Sequence, residues 1–218
     1  MRALVAWSSG KDSAFALHAI WDQVEVVGLI TTVTREFGRV SMHGVREELL
    51  EAQASTLQLP LTKVFIPPAC SNATYEAQMR AALEAGKDAG VEAVVFGDLF
   101  LEDIRRYREA QLLPLALEPI FPLWLRDTRA LAEEMISSGF RAHLTCVDPR
   151  KLPAAFAGRT FDCALLDALP SGVDPCGENG EFHTFVSNAP RFSAPIPVES
   201  GEVVERDGFV FSDLHLRA

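Results

Sequence analysis

Ala3-Leu4-Val5-Ala6-Trp7 is an unbroken apolar run, Ser8-Ser9-Gly10-Lys11-Asp12-Ser13 follows it directly, and helical spacing is under way from Ala14. A short apolar run closed by small polar residues reads as a buried parallel strand, then a tight turn, then a helix. That junction aims several backbone N–H groups and two or three hydroxyls at one small volume, at the positive end of the helix dipole, which suits a phosphate. Gly10 permits a close backbone approach, Lys11 supplies a point charge, and Ser13 offers a hydroxyl in the first helical turn. Asp12 would repel a bare anion, so it points to a helix cap or to a metal that accompanies the phosphate. The spacing does not fit the Walker loop, which needs four residues between its glycine and the Gly-Lys-Ser/Thr.

The alternation begun there continues. Val24 to Thr32 is a second apolar run, Thr34 to Ser41 a polar loop, and Val45, Leu49, Ala52 and Leu57 recur at helical spacing. Leu61 to Ile66 predicts a strand stopped by Pro67-Pro68, and Asn72 a cap for a helix with Tyr75, Met79, Ala82 and Leu83 on one face. Glu92 to Phe96 predicts a strand ending at Gly97-Asp98, Leu101 to Leu113 a charged helix, and Leu115 to Ile120 a fifth strand. This pattern predicts an α/β fold with a doubly wound, parallel five-stranded sheet of Rossmann type, whose ligands sit at the carboxyl ends of the strands. Ser8 to Ser13, the threonines from Thr31 to Thr34, and Gly97-Asp98 all follow strands, so all three line one edge.

From Phe121 the character changes: a helix over Thr128 to Ser138, a strand over Arg141 to Val147, a helix near Phe161 to Leu169, a loop from Pro170 to Gly180, and a tail alternating around Asp207-Gly208 as a hairpin or edge strand. The expected organisation is a nucleotide-binding unit over 1–121 and a smaller C-terminal α/β unit over 122–218.

With a net charge of −10 over 218 residues, the chain does not have the make-up of a protein that grips nucleic acid through a broad basic face. Arg105, Arg106 and Arg108 leave a local basic groove open. No run approaches the ~18 apolar residues of a membrane helix, and Met1-Arg2 leads straight into a core strand, so the expected setting is the cytoplasm without a membrane partner. Cys70, Cys146, Cys163 and Cys176 form no C-x-x-C pair, which leaves free thiols as the simpler reading over a zinc or redox motif.

Three further stretches carry chemistry. Cys176-Gly177-Glu178-Asn179-Gly180-Glu181-Phe182-His183-Thr184 packs two glycines, two carboxylates and a histidine into nine residues; these can bind an amine, activate a nucleophile or hold a metal, or form a plain Gly-Asn-Gly turn. Gly97-Asp98 precedes Glu102, Arg105, Arg106, Arg108 and Glu109, which are either surface ion pairs at i,i+4 or contacts to substrate or pyrophosphate. Ser41-Met42-His43-Gly44-Val45-Arg46 sits at a helix start beside the second strand, where His43 either packs or lines the pocket.

Ser8 to Ser13 resembles the PP-loop, S-G-G-x-D-S, of the ATP pyrophosphatases, with Ser9 in place of the first glycine. Together with Met42 to Arg46, Gly97-Asp98-Leu99-Phe100, Arg105, Glu109, Pro122-Leu123-Trp124 and Gly177 to Thr184, it makes nearly the whole chain resemble the diphthine-ammonia ligase family, whose fold is of the adenine nucleotide alpha hydrolase type. In those ligases the last stretch reads G-E-G-G-E-x-E-T, so His183 stands at a glutamate position and the carboxylate substrate stays open. The resemblance implies ATP with Mg²⁺, attack of a carboxylate on the α-phosphorus, and displacement of AMP by ammonia. It implies catalytic roles for Lys11, Asp12, Glu178 and Glu181. Nucleotide contacts fall to Ser8, Ser9, Gly10, Lys11, Asp12, Ser13, Thr32, His43, Gly97 and Asp98, and substrate contacts to Glu102, Arg105, Glu109, Glu178, Glu181 and His183. No set of metal ligands is assigned. The implied partners are ammonia and a small-molecule or protein-borne carboxylate, without nucleic acid or membrane, and a homodimer is left open. A tRNA-modifying PP-loop enzyme and a non-catalytic ATP sensor are the alternatives.

Overall fold

The computed structural model describes residues 1–217. In chain order the first half comprises β1 (Arg2–Ala6), α1 (Lys11–Ile20), β2 (Glu25–Thr34), β3 (Arg39–Val40), α2 (Glu47–Leu57), β4 (Leu61–Ile66), α3 (Asn72–Asp88), β5 (Ala93–Val95), α4 (Glu102–Leu112) and β6 (Glu118–Ile120). α5 (Thr128–Ser137), β7 (Arg141–Val147), α6 (Cys163–Ala168), β8 (Phe182–Asn188), β9 (Val198–Arg206) and β10 (Phe209–Leu216) follow.

β1 pairs in parallel with β2 on one side and β5 on the other, β4 lies outside β2, and β6 lies outside β5. The five parallel strands are those expected from the apolar runs, and their order, β4-β2-β1-β5-β6, reverses direction between β1 and β5. In doubly wound sheets that reversal opens a crevice at the carboxyl ends of the strands. The loop after β1 and Gly97-Asp98 after β5 both fall there. β3 is an addition inside the expected polar loop. β2 pairs with β1 only as far as Ile30 and runs on to Thr34, so Arg39 and Val40 fill its open edge antiparallel to Val33 and Thr34.

The second sheet is antiparallel, in the order β8-β7-β10-β9. Its β9–β10 turn uses Asp207 at φ 52° and Gly208 at φ 77°, the left-handed pair that a tight hairpin needs. α3 differs from expectation in its cap: Ser71, not Asn72, is the N-cap, its hydroxyl accepting from the Thr74 amide at 3.2 Å.

One apolar core joins the two halves, with Ala3, Val5, Phe15 and Leu17 packed in the same cluster as Met135, Phe140, Leu144 and Phe185. The Phe15 and Phe140 rings meet edge to face at 5.2 Å. Leu4, Ile30, Val64 and Val94 fill a smaller core on the other face of the parallel sheet. β1 is thus covered on both faces, which is why its sequence shows no alternation. Among the described residues no helix is long and apolar enough to cross a membrane.

Candidate active site

Ser9 holds the left-handed conformation, φ 67°, at the position where the PP-loop pattern has glycine. Its carbonyl accepts from the Val186 amide at 3.0 Å and from Gln53 Nε2 at 3.0 Å. Fully buried Gln53 also accepts from Trp7 Nε1 at 2.8 Å and donates to the Val186 carbonyl at 2.7 Å. The turn is thereby braced from α2 and from β8. Gly10 has an ordinary φ of −88°; its need is steric, since a Cβ there would lie 2.9 Å from His43 Cε1 and 3.2 Å from the Thr184 carbonyl oxygen. As the N-cap of α1 it supplies no side-chain hydrogen bond, while the Lys11 amide donates to Thr184 Oγ1 at 3.0 Å. The Ser8 and Ser13 hydroxyls lie 3.1 Å apart at the mouth of the turn.

Lys11 is turned inward, with only 2 % of its surface exposed. Its ammonium donates to both carboxylate oxygens of Asp12, at 2.9 and 3.0 Å, and to the Cys176 carbonyl, and it lies 5.4 and 5.3 Å from the ring centroids of Phe161 and Phe182. Burial works against its charge, but Asp12, Cys176 and Glu178 prevail and raise its pKa.

The facing wall comes from the loop after β5 and the stretch before β8. A Cβ on Gly97 would lie 2.7 Å from the Asp12 carbonyl carbon and 2.9 Å from the Ser13 nitrogen, so only glycine lets the two loops touch. Burial raises the pKa of Asp98, and Arg108, whose Nε is 3.9 Å away, opposes the rise. Glu178 Oε1 accepts from the Leu99 amide at 2.7 Å and the Phe100 amide at 3.4 Å. Burial nevertheless pushes its carboxyl up to about 7, the Leu99 bond opposing and the charges of Asp12 and Asp98 adding. Glu181 is buried and holds its own loop together: Oε1 accepts from the Asp174 amide and Asn179 Nδ2, both at 3.1 Å, and among the described residues Oε2 has no partner. Asp174 in turn accepts from the amides of Cys176 and Glu178 at 3.0 and 2.9 Å. The His43 and His183 rings meet at a tilt of 42° with their centroids 4.5 Å apart, and His43 Nδ1 lies 3.2 Å from the Thr184 carbonyl oxygen. Burial lowers both histidines, His43 to about 4 and His183 well below the usual range, so the pair is uncharged at neutral pH.

These groups surround a cavity of about 250 Å³ lined by Ser8, Lys11, Asp12, Ser13, His43, Gly97, Asp98, Arg108, Glu178 and His183. A hollow of about 140 Å³ adjoins it at the end of β2, lined by Thr31, Thr32, Ser41, Tyr75 and Met79, with Ala6, Ser8, Phe96 and Arg108 shared. Thr31 Oγ1 and Arg108 Nε are buried without a hydrogen-bond partner among the described residues, so both are available to a guest. Of the expected site residues, Ser9 and Gly10 stand behind the cavity wall and Glu181 within its loop. Glu102, Arg105 and Glu109 do not line it. Arg105 pairs with Glu109 at 2.8 Å and lies 4.9 and 4.7 Å from the Phe121 and Trp124 ring centroids, while exposed Glu102 pairs with Arg106. α4 turns Arg108 to the cavity instead. Leu112 is the buried residue of this helix, and the residue four before it shares its face; that phase was present in the sequence.

Residues 1–111 match the family model described as diphthamide synthase N-terminal domain, and residues 127–212 the one described as diphthamide synthase C-terminal domain. Over 140 residues the chain is 36% identical to a diphthine--ammonia ligase of Homo sapiens, covering 58% of this chain and 52% of that protein. A diphthine--ammonia ligase of Schizosaccharomyces pombe is 27% identical over 225 residues, covering 94% of this chain and 37% of that protein. The chain spans about half the length, or less, of the curated relatives it matches. A solved structure described as a predicted subunit of tRNA methyltransferase from Methanocaldococcus jannaschii superposes with a TM-score of 0.46 at 17% identity, over 87% of this chain and 97% of that one.

Proposed function

Because the chain belongs to the diphthamide synthase family, we propose that it is an ATP-dependent, AMP-forming amide ligase working in the crevice between β1 and β5. The observation that carries this reading is the convergence on one cavity of the N-terminus of α1, two serine hydroxyls, Lys11, Arg108 and the Glu178 carboxyl, which burial pushes up to about 7. The base of ATP would lie at the hollow by Thr31, Thr32 and Phe96, and the phosphates at the start of α1 beside Ser8 and Ser13. Asp12 and Asp98 are the carboxylates beside that turn and suit Mg²⁺, which would share the charge gathering on the pyrophosphate.

In this reading a substrate carboxylate oxygen attacks the α-phosphorus and the bond to the β-phosphate breaks, releasing pyrophosphate. Ammonia then attacks the acyl carbon, AMP leaves, and the proton lost by the new amide nitrogen goes to Glu178, whose pKa of about 7 suits a general base at neutral pH. Lys11 and Arg108 offset the developing negative charge. Glu181 acts by shaping the 174–181 loop. Residues 1–121 then serve as the nucleotide unit and 122–218 as the substrate unit, in a cytoplasmic setting. The experiment is phosphorus NMR of ATP, Mg²⁺ and ammonium with a panel of carboxylic acids that includes diphthine. AMP and pyrophosphate are the expected products; ADP and phosphate alone would remove the proposal.

A further inference from the structure

A second and larger cavity, of about 460 Å³, shares His183 with the crevice. Its walls come from residues 34–46, following β2, and from the β9–β10 hairpin, with Cys146 of β7 also lining it. Buried Val40 and Cys146 and half-buried Phe209 and Phe211 make much of the lining apolar. Burial pushes the Cys146 thiol up to about 12, so it is a neutral wall group. On the lining, Asp213 takes Arg39 Nη1 at 2.8 Å and Arg46 Nη2 at 2.6 Å, with His215 Nε2 at 3.3 Å. Against the two guanidinium groups and one carboxylate of this wall stand Glu202, Arg206 and Asp207, so the charged lining as a whole is neutral. Glu202, Arg206 and Asp207 belong to the exposed end of the hairpin, where water screens them. The histidine shared with the crevice, and the one tilted against it, are uncharged and leave the junction electrostatically neutral.

We infer that this cavity is the acceptor site: it takes a free small-molecule carboxylic acid with an aromatic or branched apolar body, held between Phe209, Phe211 and Val40 with its carboxylate at His183. The inference rests on the ligase reading above, which requires a carboxylate to enter the crevice from outside the nucleotide subsites. The volume lies within the roughly 300–1,000 Å³ common for small-molecule sites, so it has room for a whole small acid rather than only the tip of one. His183, the lining residue that the two cavities share, then marks where the acceptor meets the crevice.

The test uses 3-phenylpropanoate and 3-phenylpropylamine as probes of equal size and opposite charge, titrated calorimetrically into the whole chain, with ATP binding measured alongside. The acid is expected to bind about ten-fold more tightly than the amine. Val204→Trp, at an exposed position on the cavity lining, is expected to weaken the acid about ten-fold while ATP affinity holds. Equal binding of acid and amine in the unaltered chain overturns the inference, as does acid binding that Val204→Trp leaves untouched. Turnover confined to a protein-borne carboxylate also overturns it. If ATP binds and the acid does not, the acceptor site fails and the ligase reading stands; if the acid binds and ATP does not, the ligase reading fails and the cavity loses its place in a reaction.

Discussion

Glu178→Gln isolates a carboxyl of the crevice that burial perturbs strongly. Burial lifts the Glu178 pKa from 4.5 to about 7 in the folded chain, so between those values the folded state keeps a proton that the unfolded chain has released. Its contribution therefore favours folding fully below about pH 4.5, declines as pH rises, and is lost above about pH 7. At 1.36 kcal/mol per pH unit the full loss is about 3 kcal/mol, which partial solvent access to the side chain reduces to about 2 kcal/mol. Glutamine keeps an oxygen for the Leu99 amide and does not titrate, so the variant escapes the loss. For a chain of this size about 2 kcal/mol corresponds to ~4–8 °C in Tm. Scanning calorimetry of both proteins from about pH 5 to about pH 8 should show the variant gaining on the parent by that amount as pH rises. Parallel Tm curves, or a parent that gains on the variant, would refute the assignment of a buried, proton-retaining carboxyl.

Gly97→Ala sets a methyl against the backbone of Asp12 and Ser13, which no rotamer change relieves; denaturant unfolding should report a loss of about 1–3 kcal/mol, with a parallel fall in ATP affinity. Thr184→Val removes the acceptor of the buried Lys11 amide, so it should cost about 1–3 kcal/mol by the same measurement, whereas Thr184→Ser should cost far less. Burial opposes the charge of Asp213, but Arg39 and Arg46 hold its pKa far below the usual carboxylate range. Asp213→Asn should thus destabilise by about 1–3 kcal/mol near neutral pH. Since a depressed carboxyl loses its contribution as pH falls below its unfolded value, the gap between parent and variant should narrow below about pH 4.

The parallel sheet and its crevice were legible because five apolar runs alternate with helical spacing, and because Ser8 to Ser13 and Gly97-Asp98 each close a strand. β8 was not legible. Phe182 and Thr184 to Ser187 are all buried, because β7 pairs with one edge, α1 packs nearby and the Ser9 carbonyl takes the Val186 amide; a strand enclosed in that way shows no alternation, and Gly177 and Gly180 just before it spoke for a loop. β9 was legible only at its end, where the alternation around Asp207-Gly208 predicts a hairpin; mostly exposed Glu199 to Arg206 have no apolar face to reveal the rest. At the site, the spacing of Glu178 and Glu181 marked both as chemical, but only tertiary contacts separate the carboxyl that faces the cavity from the one that ties its loop. The larger cavity was invisible to local reading, because residues 34–46 and 202–213 meet only after the two sheets have packed on one core.

That shared bracing sets a rule for recombining this chain with its relatives. The turn at Ser9 is gripped by Val186, and the first amide of α1 by Thr184, so the two segments form one mechanical part although they lie at opposite ends of the sequence. A chimera that exchanges either half alone pairs a foreign strand with a native turn, and crossover points that keep residues 8–13 and 183–187 from the same parent are the ones that should yield an intact phosphate seat.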